Sequence, residues 1–428
     1  MEQQYIESTL ELLDFIADSP TAFHAARSAV DLLEEAGFIR LDEKKPYEIK
    51  AGASYYVVRN SSAVIAFSVP SATPEALSII AAHTDSPCFK IKENPEITNG
   101  EAYTTLNVEG YGGMIMSAWF DRPLSIAGRA FVKNGDKVEE RLVNIDRNLC
   151  VIPNLCIHQN RELNSGYRYN IQKDLLPLIA EGGKKGSLNG LVSQTLEVSE
   201  EDIVETELFL YSRQEGTIWG LDDEFYSSPR IDDLQCAFSA VKALTEADFS
   251  KSSKIRMISL FDNEEVGSTT KQGANSDFLF QTWERICDSL GLSVQQKFAV
   301  QASGFMLSAD NGHSFHPNYP EKCDPTNRPL MNKGVMIKYA GNQKYTTDGH
   351  SAAVFKNILD KASVPYQVFF NNSSVSGGST LGNISQIHLS LPTADIGSAQ
   401  LSMHSPYETG GVRDTLYLTS AMKAFFED

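Results

Sequence analysis

Apolar positions recur along the chain with two different periods, and the changes between them outline the architecture. From Glu11 to Gly37 they fall at helical spacing, broken at Asp18-Ser19-Pro20-Thr21, a cluster that ends one helix and starts another. Two helices are therefore expected to open the chain. Leu77-Ser-Ile-Ile-Ala-Ala is instead a continuous apolar run of strand length that ends on His83-Thr84-Asp85. A run without alternation suits a strand buried on both faces. The stretch from Ile255 to Phe261 has the same design and ends on Asp262-Asn263-Glu264-Glu265.

Between about Glu93 and Ile218 the texture changes to short alternating stretches separated by turns, with a hairpin signal from Phe131 to Val138 and Asn134-Gly135 at its tip. Val204 to Tyr211 alternates in the same way. Residues 93–218 thus read as an inserted β-rich domain, a small barrel or sandwich, within an α/β domain made of residues 1–92 and 219–428. After Arg230 the pattern predicts helices over Leu234–Glu246, Ser276–Leu290, Gly349–Ala362 and Gly410–Phe426. Strands are expected over Phe305–Ala309 and up to Lys338. Alternating strands and helices imply an α/β fold, a mostly parallel mixed sheet flanked by helices, whose ligands sit beyond the carboxyl ends of strands.

A length of 428 residues is compatible with about two domains. A net charge of −18 repels phosphate backbones and anionic membranes, which argues against nucleic acid or a membrane surface as partner. No apolar run has the length of a membrane span, and the acidic Met1-Glu-Gln-Gln-Tyr start lacks the features of a secretory signal. The six cysteines are scattered without paired spacing, as expected of buried thiols in a reducing compartment. A cytoplasmic location is the expectation.

Adjacent carboxylates at the end of a buried strand repel each other and resist desolvation, so Glu264 and Glu265 ask for a cation that binds one and leaves the other as a base. Further candidate ligands are His83, Asp232, Asp310 and His404, each at the end of an apolar segment or in a loop. Taken singly, the histidines read as structural residues and the aspartates as helix caps. Together with Glu265 they form a set of oxygen and imidazole ligands without thiolate, suited to two zinc-like ions bridged by one carboxylate. Two dications set against these carboxylates and a hydroxide leave the site near neutral, and such a pair can acidify a shared water and polarise a carbonyl. Glu264 is then the natural general base. Asp85, two residues after His83, is placed to hold the far ring nitrogen.

Over nearly its whole length the chain resembles the aspartyl aminopeptidase and aminopeptidase I family of dinuclear zinc exopeptidases. The resemblance is carried by Ser19-Pro-Thr-Ala-Phe-His, Ala82-His-Thr-Asp-Ser-Pro, Trp119-Phe-Asp-Arg-Pro-Leu, Ser228-Pro-Arg-Ile-Asp-Asp-Leu, Asp262-Asn-Glu-Glu-Val-Gly-Ser, Ser308-Ala-Asp-Asn-Gly-His and Ala399-Gln-Leu-Ser-Met-His-Ser. It implies that His83 and Asp310 hold one zinc, Glu265 and His404 the other, and that Asp232 bridges them. Cobalt or manganese at one site is compatible with this set. The resemblance further implies Glu264 as catalytic base, Asp85 as the residue orienting His83, and a cis peptide after Asp232.

For substrate and assembly it implies peptide substrates, dimer contacts through the inserted domain, and a hollow tetrahedral homododecamer. His158 would enter a neighbouring subunit's site, and Lys338 would lie in the specificity pocket, where it could pair with an acidic N-terminal side chain. His316 and Gly378, in the glycine-rich turn Gly377-Gly-Ser-Thr-Leu-Gly, complete the substrate-binding candidates. Two departures from the family pattern, Lys344 where an arginine is usual and Ser374 where an aspartate is usual, leave acidic and neutral N-terminal residues both open. The rival readings are a related dinuclear deacylase or carboxypeptidase and a non-catalytic assembly or cargo protein. Retention of Glu264 and all five ligands argues against the latter.

Overall fold

The structure is a computed structural model and describes residues 2–249, 252–375 and 377–428. It divides into two compact units, one made of 1–85, 216–403 and 408–428, the other of 86–215 with 404–407. The sequence pattern places the change at 92/93 and 218/219. The earlier break follows from pairing: the Cys88–Asn99 strand bonds only to strands of the second unit, so its whole length belongs there.

The larger unit is built on a nine-stranded sheet. Its order is Ile39–Arg40, Ser54–Arg59, Ala63–Ser68, Lys254–Phe261, Ala76–His83, Phe305–Ala309, Thr393–Gly397, Val335–Tyr339 and Tyr366–Phe370. Five of the eight neighbouring pairs are parallel, including all those among the central strands that end at His83, Phe261 and Ala309. The apolar run at Leu77 explains itself here. Leu77, Ile79 and Ala81 enter the core on one face of the sheet, while Ile80 and Ala82 enter the core on the other. Successive side chains of a strand point to opposite faces, so only an unbroken apolar run satisfies both. Helices Ala22–Glu35, Ile231–Glu246, Gly349–Ala362 and Asp414–Glu427 cover one face. Phe278–Ser289 and Val294–Ala302 cover the other.

Three local expectations are corrected. The last helix begins at Asp414, not Gly410, because Glu408–Gly411 is a strand paired with Phe225–Ser228. Gly410 is required there, since a Cβ would lie 2.6 Å from the Tyr226 ring. Thr21 does not cap the second helix through its side chain; its hydroxyl is 2.8 Å from His24 Nδ1 instead. Among the cysteines, Cys156 is exposed and Cys88 and Cys323 are half-buried, and all six are free.

Strands Phe225–Ser228, Glu408–Gly411, Ala399–Leu401 and Gly312–His313 join Thr217–Trp219 in a five-stranded sheet of the same unit. This small sheet matters because its strands adjoin Asp232 and Asp310 in sequence.

The second unit holds a six-stranded antiparallel sheet, and residues 150–152 bridge its edge strand at Leu178 to its second strand at Leu124, as the barrel reading requires. Its strands lie in the order Lys137–Asn144, Leu124–Asn134, Ile203–Ser212, Cys88–Asn99, Tyr103–Tyr111 and Leu178–Glu181. The expected hairpin is present, with Gly135-Asp136 at the tip and Asn134 already paired to Lys137. No helix among the described residues is long and apolar enough to cross a membrane.

Candidate metal centre

Two parallel strands set the site. Phe261 lies opposite His83, so the turn carrying Glu264 and Glu265 and the histidine leave the sheet at the same edge. His83 is buried, with Nδ1 3.0 Å from the Asp85 carbonyl and 3.3 Å from Asp85 Oδ1. With Nδ1 occupied, Nε2 is the ring nitrogen for a metal; it lies 3.5 Å from Asp232 Oδ1. The Asp85 carboxylate also accepts the backbone N–H groups of Glu264 at 3.1 Å and Glu265 at 3.2 Å. One buried carboxylate therefore orients both the histidine and the glutamate turn. That turn is anchored from its other side by Asn263, whose Oδ1 accepts from Thr270 Oγ1 at 2.8 Å and Gln272 Nε2 at 2.7 Å.

Asp232 and Asp233 follow Arg230, which adopts a left-handed φ of 56°, and the Asp232–Asp233 peptide is cis. Neither aspartate has helical backbone angles; they sit at a kink within the Ile231–Glu246 helix, and Asp233 Oδ1 has no hydrogen-bond partner among the described residues. Asp310 likewise starts no helix, because the Gly312–His313 strand follows it. Capping is thus not the role of these acids. Asp232 N–H donates to Glu408 Oε2 at 3.0 Å, and Asp233 Oδ2 accepts from His83 N–H at 3.2 Å.

The ligand atoms of His83, Asp232, Asp233 and Asp310 lie within 4.8 Å of one another, as do those of His83, Glu264 and Glu265. The electrostatics of this crowding are those of a cation site. Burial and the neighbouring Asp310 and Asp232 raise Asp233 well above the usual carboxylate range. Burial and Asp232 push Asp310 up to about 6, against the opposing pull of Lys338. Burial, with Asp310, Asp85 and Asp232, pushes Glu264 up to about 8. Burial lowers His83, but Asp233, Asp232 and Asp85 outweigh it and hold the imidazole well above its ordinary value. So many acids at one buried spot satisfy each other only by binding protons or a cation, and the donor set of imidazole and carboxylate oxygens fits zinc.

The remaining candidates are placed as follows. His404 lies with the second unit, its Nδ1 2.6 Å from Gly113 O. His158 is exposed, flanked by the exposed Leu155 and Ile157. His316 is half-buried, 5.0 Å from the Tyr319 ring, and its Nδ1 accepts from Asn318 N–H. Gly378 is exposed, with nothing within 4 Å of a Cβ built on it. Lys338 is 1% exposed, donates to Asn311 O at 3.0 Å and lies 3.9 Å from Asp310 Oδ2. Lys344 donates to Gly377 O at 2.7 Å.

Sequence reasoning missed Asp233 as a member of the cluster, Asn263 as the anchor of the glutamate turn, and Glu408 as the acceptor for Asp232. Only Asp233 had a signal, its place beside Asp232. The other two act through contacts that span the fold.

Comparison with known proteins agrees with this chemistry. Residues 15–426 match the model of the aminopeptidase I zinc metalloproteases (M18). A probable M18 family aminopeptidase 2 of Clostridium novyi is 44% identical over 97% of this chain and 98% of its own. Among solved structures, the Chaetomium thermophilum mApe1 superposes with a TM-score of 0.89 at 30% identity, covering 99% of this chain and 98% of that one. The S. cerevisiae mApe1, described as a dodecamer, gives a TM-score of 0.87 at 26% identity, covering 99% of this chain and 97% of that one. A metal-ready cluster at the strand ends and a family match spanning almost the entire sequence lead to one conclusion: the chain belongs to the M18 family of aminopeptidases, zinc metalloproteases that hydrolyse peptides.

Proposed function

We propose that this aminopeptidase works with two zinc ions, His83 and Asp310 holding one, Glu265 and His404 the other, and Asp232 both. The observation that carries this reading is the convergence of His83, Asp232 and Asp310 with Glu264 and Glu265 at one buried edge, with Asp85 bonded to both sides. Zinc bound there supplies a polarised substrate carbonyl and a water of lowered pKa. Glu264 would take a proton from the attacking water on its carboxylate and hand it to the departing amine. Asp85 keeps the Glu264 backbone fixed while the side chain moves its proton. A free α-amino group defines the substrate end, which makes peptides with unblocked N-termini the substrate class.

For the first residue of the peptide, the geometry favours neutral over acidic side chains. The ammonium of Lys338 is buried against Asp310 and Asn311, and that of Lys344 is held by Gly377. Neither is set out for a substrate carboxylate. For assembly, the dodecameric relative and the exposed Leu155, Ile157 and His158 support a homo-oligomer in which residues 86–215 make subunit contacts.

Metal quantification and an aminoacyl amide panel on wild type and Glu264→Gln test the reading. About two zinc ions per chain are expected in both proteins, with turnover of the variant reduced about 10²–10⁴-fold and leucyl substrates cleaved faster than aspartyl or glutamyl ones. A single ion would refute the dinuclear centre, and a variant as active as wild type would refute Glu264 as the base.

A further inference from the structure

Behind the acids lies a buried network of neutral amides and one carboxylate that the chemistry above does not use. Asn311, Gln235, Gln400 and Glu408 are each 3% exposed or less. Asn311 Nδ2 donates to Gln400 Oε1 at 2.8 Å and Gln235 Oε1 at 3.0 Å, and its Oδ1 accepts from Ser398 N–H at 2.9 Å. Gln400 Nε2 donates to Glu408 Oε1 at 3.2 Å, and Glu408 Oε2 accepts from Asp232 N–H at 3.0 Å. Gln235 Nε2 continues to Thr415 Oγ1 at 3.0 Å on the last helix. An unbroken path of hydrogen bonds therefore runs from the residue next to Asp310 to the backbone of Asp232.

Burying so many polar atoms is costly unless every one is satisfied, and a satisfied network fixes one arrangement of the segments it joins. The segments joined here are the end of the Phe305–Ala309 strand, the start of the Ile231–Glu246 helix, and the paired strands Ala399–Leu401 and Glu408–Gly411. Apolar side chains of the same size would fill this space but would not set the angle or spacing of two carboxylates.

We propose that Asn311, Gln400 and Glu408 are positioning residues that hold Asp232 and Asp310 at the separation a zinc pair requires. Hydrogen bonds join them to one another and to the Asp232 backbone, so in this proposal they act through the ligand-bearing segments. The inference rests on the zinc-centre reading above and adds residues to it that lie behind the ligands.

The test is zinc affinity, measured by chelator competition on Glu408→Gln and Gln400→Met. Glu408→Gln keeps shape but turns one acceptor into a donor that faces either Asp232 N–H or Gln400 Nε2. Gln400→Met keeps length and removes both of its hydrogen bonds. Loss of partners behind metal ligands typically costs about 10–100-fold in metal affinity, and that loss is expected in each variant. Because both variants cut the same path, the double variant should lose much less than the product of the two. Saturating zinc should restore most of the turnover, and the preference between leucyl and aspartyl substrates should stay as in wild type. Zinc affinities within twofold of wild type in both single variants would overturn the proposal, even if their melting temperatures fall. Failure of wild type itself to bind zinc would instead sink the zinc-centre reading.

Discussion

Replacing Asp85 by asparagine gives the sharpest test of how the centre is built. The side chain keeps its size, and the Asp85 carbonyl that lies 3.0 Å from His83 Nδ1 is untouched. What changes is the carboxylate that accepts from Glu264 N–H at 3.1 Å and Glu265 N–H at 3.2 Å. An amide offers one acceptor oxygen, so one of these N–H groups meets an NH₂ donor, and the negative charge beside the His83 ring is lost. A hydrogen bond to a charged group contributes about 1.5–3 kcal/mol, which converts to about 10–150-fold at 1.4 kcal/mol per decade. The glutamate turn carries the proposed base and a proposed ligand, so kcat/KM and zinc affinity should fall together within that range. Aminoacyl amide kinetics and chelator competition measure the two quantities on the same preparation. If both remain within twofold of wild type, the idea that Asp85 ties the histidine to the glutamate turn is wrong.

Removing zinc should destabilise as well as inactivate. Zinc at a thousandfold above its Kd stabilises the native state by about 4 kcal/mol, so chelation should lower the melting temperature and zinc, not magnesium, should restore it; an unchanged melting curve counts against a buried site. Asp414 governs a separate pH effect. Burial pushes its carboxyl up to about 7, against the lowering effect of the Asn332 and Gly334 N–H groups. The folded state thus keeps a proton that the unfolded chain releases near 3.9, and this contribution to stability is present at low pH and lost as pH rises toward 7. Asp414→Asn mimics the protonated acid at every pH, so its melting-temperature advantage over wild type should be smallest near pH 4 and grow up to about pH 8, whereas a constant difference across that range would disprove the linkage. Finally, His158→Ala should lower turnover with zinc content unchanged if the exposed loop serves a neighbouring subunit, and unaltered kinetics in the assembled protein would reject that role.

How much of this was legible beforehand depends on the range of the interaction. The unbroken apolar run before His83 announced a strand buried on both faces, and the acids after Phe261 announced a strand end, because alternation and termination are properties of neighbouring residues. Helix Gly349–Ala362 was legible to the residue, helped by an Asp348 capping box that is itself local. Gly410 and Gly411 were misread as helix since only the partner strand Phe225–Ser228 makes them a strand. Lys338 gave no sign in the sequence that its charge would be spent inside the protein beside Asp310, since that depends on a strand far away in the chain.

The sequence by itself therefore determined the elements, the order of the segments carrying the candidate ligands, and the family to which the chain belongs. Only the tertiary structure decided which of the acids share one buried space, that Asp85 holds the glutamate turn as well as His83, and that Glu408 and Asn311 stand behind Asp232 and Asp310. The physical reason is that hydrogen bonds and charge pairs reach only a few ångströms. Strand pairing and sheet register bring distant residues within that reach, and both are settled by burial of the whole core rather than by any local run of residues.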